Sequence, residues 1–238
     1  ANGCTVQNGN LTSISLSKNS LVRFQTIEYL RAFLAGRLGW AVSGCMLIIS
    51  GAFGVFKREL VEKVGGYMTG RGKYKKDTVG EDMELVVRLH RAVRKSRISY
   101  AIPYVFNANC WTEVPEKWRV FSKQRDRWHR GLIEILAHHK SMLFNPLYGR
   151  IGLVAVPYFF IFELIGPIFE FIGYIALVIS AVLGILDPKI ALLLFIVIIM
   201  YGICISLASL IISENEILYF SPKETLVIIF YALLENLG

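Results

Sequence analysis

One stretch decides how this sequence is interpreted: Gly80-Glu81-Asp82-Met83-Glu84-Leu85. Thr78 followed by Glu81 matches a capping box, and apolar residues continue at helical spacing to about Arg94. Glu81 and Asp82 therefore fall in the first turn of a predicted helix, where the positive end of the helix dipole keeps a carboxylate ionised. A general base must be ionised to accept a proton. The alternative is that both acids only cap the helix.

A second motif, Gln124-Arg125-Asp126-Arg127-Trp128, follows within a helix predicted over 115–139. Gln124, Arg127 and Trp128 are spaced i, i+3 and i+4, so they share one helical face. Arginine can grip a diphosphate through two parallel hydrogen bonds, glutamine adds a neutral donor, and tryptophan offers a flat wall for a sugar. The competing interpretation is an interfacial helix, with tryptophan at the headgroup level and arginine on lipid phosphate. The histidines that end this helix are predicted to be solvated.

The second half of the chain predicts membrane helices. The composition is 54% hydrophobic and only 18% charged, which is too apolar for an ordinary soluble domain. Residues 168–186 and 190–212 are each long enough to cross a bilayer core of about 30 Å. A third apolar stretch covers residues 225–238, and residues 146–167 predict an interfacial helix that Pro167 separates from the next segment. These boundaries leave residues 1–145 as a domain outside the membrane.

That domain is basic and predicts a cytoplasmic location. The net charge is +8, and Lys and Arg are concentrated between Lys57 and Arg150. The positive-inside rule then orients a multi-pass protein of the inner (plasma) membrane with this part in the cytoplasm. A basic surface suits membrane lipid, nucleic acid or a phosphorylated substrate. Nucleic acid is the weakest of the three, because no helix-turn-helix, zinc finger or aromatic RNA-reading signature accompanies the charge, and no nucleic-acid partner is predicted.

Short apolar runs predict strands and hence an α/β fold. Residues 13–16 alternate, Cys45 to Ile49 is a compact apolar run, and Ile98 to Phe106 is rich in β-formers. The run at Cys45 leads into Ser50 and Gly51, which predicts a loop where the backbone approaches a ligand closely.

Taken in order, these segments resemble the membrane-embedded family 2 glycosyltransferases, which include cellulose, hyaluronan and poly-N-acetylglucosamine synthases. Four blocks carry the likeness: residues 49–54, 80–82, 110–115 and 124–128. The resemblance implies a GT-A type α/β domain followed by interfacial and transmembrane helices. It also implies a nucleotide-sugar donor and a glycan or lipid-linked acceptor.

The resemblance further implies roles for individual residues. The aspartate that matches Asp82 is the general base of an inverting transfer. Gln124, Arg127 and Trp128 match the motif that holds the nucleotide diphosphate and lines the acceptor end. Ser50 and Gly51 match the loop near the acceptor sugar, and Glu81 is included in the substrate-binding set.

One departure from the family pattern concerns the metal. The family carries an Asp-any-Asp motif that ligates Mg²⁺ or Mn²⁺, and residues 1–40 contain neither this motif nor a nucleotide-binding βα region. We therefore expect a partial GT-A domain without metal ligands, which alone is inactive. The rival interpretation is a noncatalytic membrane scaffold or partner-binding module whose basic domain docks on lipid.

Overall fold

The computed structural model describes residues 3–7, 10–51, 53–68, 78–105, 108, 110, 112–212 and 220–235. Ala52 and Trp111, which belong to two of the resembling blocks, lie outside the described residues. The chain forms two compact units, one of residues 1–39, 106–121 and 174–238, and the other of residues 40–105 and 122–173.

The first unit contains a hairpin and parts of the apolar helices. Strands β1 (Cys4–Gln7) and β2 (Asn10–Ile14) pair antiparallel, with a register shift between Thr5 and Val6. Helix α1 (Ser20–Tyr29) continues through a π-helical segment (Leu30–Gly36) into α2 (Arg37–Val42).

Helix α9 (Pro222–Leu234) completes the core of the first unit. Its N-terminus carries a capping box between Ser221 and Glu224, and Glu224 Oε1 also accepts the backbone N–H of Leu16 at 2.7 Å. The buried core combines residues from α1, the π-helical segment, α8 (Pro188–Ile212) and α9: Ile27, Leu30, Leu210, Ile228 and Ala232.

The second unit contains the helices that carry both sequence motifs. These are α3 (Arg58–Lys63), α4 (Glu81–Lys95) and α5 (Trp118–His138), of which residues 118–121 belong to the first unit. Two 3₁₀ turns follow, at Lys140–Met142 and Pro146–Tyr148. Apolar side chains from α4, α5 and the segments on either side form one core, including Leu47, Met83, Val87, Ile135, Met142, Ile151 and Phe159. The two predicted helices are confirmed.

Two described helices are long and apolar enough to cross a membrane. The first is Ile151–Val182, with a mean hydropathy of 2.0, and the second is α8 (Pro188–Ile212), with 2.9. The first combines π-helical turns (Ile151–Ala155 and Phe159–Ile165) with α6 (Val156–Tyr158) and α7 (Gly166–Val182).

The predicted break at Pro167 is wrong. Pro167 lies in the first turn of α7, directly after a π-helical segment. A proline inside a helix removes one backbone hydrogen bond, but the helix can continue with a kink or a local change of helical turn. The helix therefore runs on from Ile151, and the first apolar span starts well before the predicted residue 168.

The α/β expectation is only partly met, because the described residues contain one two-stranded sheet and are otherwise mostly helical. Residues 45–49 and 98–105 form no strand. The run at Cys45 is buried as predicted, but the carbonyl of Met46 accepts a hydrogen bond from His90 Nε2 at 2.7 Å, so a side chain replaces the strand ladder there.

The predicted capping box at the start of α4 is also wrong. The helix begins at Glu81 with Gly80 as its N-cap, and no side chain caps it. The hydroxyl of Thr78 instead donates to Glu134 Oε2 on α5, at 3.0 Å. The Thr78 side chain therefore forms a long-range hydrogen bond with α5 instead of the local cap that the sequence pattern predicts.

Candidate active site

Asp82 is held by two backbone groups at the start of α4. Its Oδ2 accepts the N–H of Gly51 at 3.0 Å, and its Oδ1 accepts the N–H of Met83 at 2.8 Å. A Cβ atom added at position 51 would lie 3.4 Å from Oδ2, an ordinary van der Waals distance, so the loop lies directly against the carboxylate. Asp82 is half-buried, and no cation in the described part of the chain forms an ion pair with it. The structure thus brings together Asp82 and the predicted Ser50–Gly51 loop.

Two glycines bring the start of α4 against α5. A methyl group added at Gly131 would lie 3.1 Å from the N atom and 3.2 Å from the Cα atom of Gly80. A methyl group added at Gly80 would likewise lie 2.8 Å from Ile135 Cδ1 on α5. A larger residue at either position would have to displace these neighbours, so the two glycines favour this close approach of the backbones. The contact fixes α5 beside Gly80, two residues before Asp82.

The same side of α5 carries the second motif. Gly131 lies four residues after Arg127, three after Trp128 and seven after Gln124, which are the spacings of one helical face. One turn of helix rises about 5.4 Å, so Arg127 lies about one turn from the Gly80 contact. We therefore infer that the face of α5 with Gln124, Arg127 and Trp128 extends toward the end of α4 that carries Asp82.

The side chains of this face differ in exposure. Gln124 is half-buried, and its Oε1 atom is buried without a hydrogen-bond partner among the described residues. Arg127 is exposed, and Trp128 is 38% exposed. The guanidinium of Arg125 stacks over the Trp128 ring at 4.7 Å from its centroid. Glu81, the other predicted site residue, is exposed at the first position of α4.

A buried polar cluster next to Asp82 was not predicted. Glu84 and Arg88 form an ion pair at 2.8 Å, and Glu84 Oε1 lies 3.4 Å from His139 Nε2. Glu84 and His139 are 2% and 1% exposed. The prediction of a solvated helix end is therefore wrong for His139, although it holds for His138. The i, i+4 spacing of Glu84 and Arg88 was a sequence signal for this pair.

The ionisation of this cluster follows from its contacts. Burial raises the pKa of the Glu84 carboxyl, but hydrogen bonds from His139 and Arg88 outweigh burial and place that pKa below its ordinary value. Burial lowers the pKa of His139, and the hydrogen bond to Glu84 offsets this only in part. Glu84 is therefore an anion paired with the Arg88 cation, beside a neutral imidazole.

His90 holds the segment that leads to the Ser50–Gly51 loop. Its Nε2 bonds the Met46 carbonyl, and its Nδ1 contacts the hydroxyl of Tyr100. The Met46 carbonyl can only accept a hydrogen bond, so Nε2 of His90 carries the proton. Nδ1 is then unprotonated and accepts a hydrogen bond from the Tyr100 hydroxyl. Burial lowers the pKa of His90 to about 4. These contacts give His90 a structural role.

His90 gives the fold a measurable acid sensitivity. Its pKa is lower in the folded than in the unfolded chain, so its contribution to stability is complete above pH 6.5 and is lost as the pH falls toward about 4. A shift of this size corresponds to about 3 kcal/mol. We expect His90→Gln to flatten the dependence of unfolding free energy on pH across this window, and His129→Gln, which changes an exposed histidine, to leave it as in the wild type. Thermal unfolding in detergent from pH 4 to 8 measures this dependence. The same slope of unfolding free energy against pH in all three proteins would contradict the prediction.

With this geometry established, comparison with known proteins places the chain. Residues 6–208 match the family described as Glycosyl transferase family group 2. The chain belongs to this family. Among its relatives, the poly-beta-1,6-N-acetyl-D-glucosamine synthases of Staphylococcus epidermidis (strain ATCC 35984) and Staphylococcus aureus (strain COL) are 32% and 33% identical over 121 residues. Each match covers 50% of this chain and 26% of the synthase, so the chain spans about a quarter of those relatives. No solved structure matches it.

Membership of glycosyltransferase family group 2 accounts for the architecture at a coarse level. The family match supports a GT-A type domain, and the two apolar helices accord with a membrane glycosyltransferase. Sugar transfer is the activity of the family and, by their names, of the related synthases. Members use a nucleotide-sugar donor and a glycan acceptor in general.

Glycosyltransferases of this family commonly use a divalent metal. Among the described residues, Glu84, His138 and His139 offer ligand atoms within 4.8 Å of one another. Mg²⁺ and Mn²⁺ prefer oxygen ligands, whereas this set has two imidazoles and one carboxylate. Both oxygens of that carboxylate already bind the Arg88 guanidinium. This cluster does not fit the family's metal.

Proposed function

We propose that this chain forms the acceptor-side part of an enzyme for inverting transfer of a sugar from a nucleotide-sugar donor to a glycan or lipid-linked acceptor at the membrane. One observation carries the proposal: the Gly80–Gly131 contact sets the face with Gln124 and Arg127 beside the end of α4 that bears Asp82. In the proposal, the base and the diphosphate-binding group lie on these adjoining helices. The names of the relatives make an N-acetylglucosamine donor the first to test.

In this mechanism Asp82 takes the proton from the acceptor hydroxyl. The freed oxygen attacks the anomeric carbon of the donor while the bond to the diphosphate breaks, which inverts the configuration. Arg127 binds the departing diphosphate through charge-assisted hydrogen bonds, and Gln124 donates a further one. Trp128 provides the wall for the acceptor sugar, the Ser50–Gly51 loop contacts it, and Glu81 borders the site.

The surroundings of Asp82 suit this role. Both bonds that it accepts come from neutral backbone N–H groups, and the start of α4 adds the positive end of the helix dipole. An ion pair would hold the carboxylate away from the acceptor, and the described residues supply none. We further propose a multi-pass inner-membrane protein with this site on the cytoplasmic side, where nucleotide sugars are made.

The diphosphate role of Arg127 has a direct test. In the intact protein, Arg127→Ala is expected to weaken binding of the nucleoside diphosphate by about 10- to 100-fold, because a charge-assisted hydrogen bond contributes about 1.5–3 kcal/mol. Titration calorimetry in nanodiscs measures this. Arg130→Ala is the matched control, since it removes the same charge from the same helix at an exposed residue paired with Asp126. Equal affinities for both variants would remove Arg127 from the site, and a protein that binds no nucleotide sugar would favour the scaffold interpretation.

A further inference from the structure

The guanidinium of Arg88 joins three parts of the second unit. Its Nη1 donates to the carbonyl of Val64 and its Nη2 to that of Gly66, each at 2.6 Å, at the end of α3. Its Nε and Nη2 also bind both carboxylate oxygens of Glu84 on α4. Glu84 in turn contacts His139, which directly follows α5. A planar fork with five donors is required to reach all of these acceptors at once.

Glu84 and Asp82 lie on different sides of α4. The two residues are two positions apart on α4, which is about 200° of rotation, so their side chains leave the helix on nearly opposite sides. The Glu84–Arg88 pair, which lies within α4, is held in the core by the end of α3 and by His139, whereas Asp82 is directed to Gly51. Rotation of α4 about its axis would break the bonds of Arg88 to the Val64 and Gly66 carbonyls and the contact of Glu84 with His139, and it would also withdraw Asp82 from the loop.

We propose that Glu84, Arg88 and His139 are positioning residues for Asp82, which hold α4 in the rotation that presents the Asp82 carboxylate at the Gly51 loop. This role rests on the proposed function, in which Asp82 is the base. The three residues touch neither donor nor acceptor. The cluster thus connects the ends of α3 and α5 to the orientation of one reacting carboxylate.

The kinetic test uses Arg88→Lys in the intact protein. Lysine keeps the charge beside Glu84, but a single ammonium cannot also bind the Val64 and Gly66 carbonyls. We expect kcat to fall about 10- to 100-fold, because small displacements of a catalytic group have effects of that size, with KM for the nucleotide sugar within about twofold. Arg91→Lys on the same helix is the matched control and is expected to leave both constants unchanged. A fall in KM and kcat together in a folded Arg88→Lys would contradict a positioning role.

His139 provides a second pair of variants should Arg88→Lys fail to fold. His139→Leu fills the same space without a donor to Glu84, and His139→Gln restores one. We expect kcat to fall in the leucine variant and to recover in the glutamine variant. Equal kcat in both would overturn the part of the proposal that concerns His139.

Hydrogen–deuterium exchange tests the positioning without any sugar transfer. The N–H of Gly51 donates to Asp82, so its exchange rate at short labelling times reports where Asp82 lies. The Asp82→Ala variant gives the exchange rate of the Gly51 N–H when this bond is completely lost. We expect Gly51 in Arg88→Lys and His139→Leu to exchange nearly as fast as in Asp82→Ala. Exchange at the wild-type rate in both folded variants overturns the proposal, whereas fast exchange in a protein without transferase activity supports positioning and counts against the proposed function.

Discussion

Asp82→Asn is expected to lower the turnover of sugar transfer by about 100- to 10,000-fold, the range that a general base contributes. Asparagine has nearly the same shape and keeps an oxygen for one of the two backbone N–H groups that Asp82 binds, Gly51 or Met83. It cannot accept the proton of the acceptor hydroxyl. Donor binding is expected to change by less than about threefold, since Arg127 and Gln124 are untouched. Initial rates at saturating donor, with a parallel binding titration, measure both quantities.

The control separates catalysis from helix capping. Glu59 also lies in the first turn of a helix, α3, and it is exposed beside Lys57. If Asp82 only stabilised the start of α4, its replacement would lower stability by about 0.3–1 kcal/mol and leave turnover near the wild-type value, as we expect for Glu59→Gln. Retained turnover in a folded Asp82→Asn protein would remove Asp82 as the base.

Local periodicity was sufficient to predict the helices that carry the site. The apolar face of α4 and the basic, aromatic face of α5 are each visible within a few turns of sequence, because helical spacing is a local property. Apolar length likewise predicted α8. The roles of Asp82, Gln124, Arg127 and Trp128 came from the resemblance to a family, and they stay predictions.

Features that depend on a distant partner were missed or wrongly predicted. Short apolar runs at residues 45–49 and 98–105 predicted strands, yet a strand requires a neighbour, and His90 occupies the Met46 carbonyl instead. The sequence around Thr78 matches a helix cap, but in the structure the Thr78 hydroxyl donates a hydrogen bond to Glu134. Burial of Glu84 and Arg88 depends on the end of α3 and on His139, which sequence spacing does not reveal.

The close approach of Gly80 and Gly131 had no local signal either, because a glycine within a helix usually only weakens it. Here the missing side chain sets the distance between α4 and α5. Gly131→Val would place a branched side chain where even a methyl group lies 3.1 Å from the Gly80 backbone. We expect a loss of about 1–3 kcal/mol in stability, which is typical of overpacking. Turnover is expected to fall about 100-fold, because Arg127 moves relative to Asp82.

A pair of alanine variants tests whether this contact or helix propensity dominates. Alanine in place of a helical glycine ordinarily stabilises a helix by about 0.5–1 kcal/mol, and Gly39 in α2 has no neighbouring atom within 4 Å to oppose a methyl group. Gly39→Ala should therefore raise the unfolding temperature. Gly131→Ala gains the same propensity, but it meets backbone atoms of Gly80 that cannot turn aside as a flexible side chain would, so it should lower the unfolding temperature and turnover together. If both variants were stabilised with turnover unchanged, α4 and α5 would not need this contact, and the adjacency of Asp82 and Arg127 would lose its structural basis.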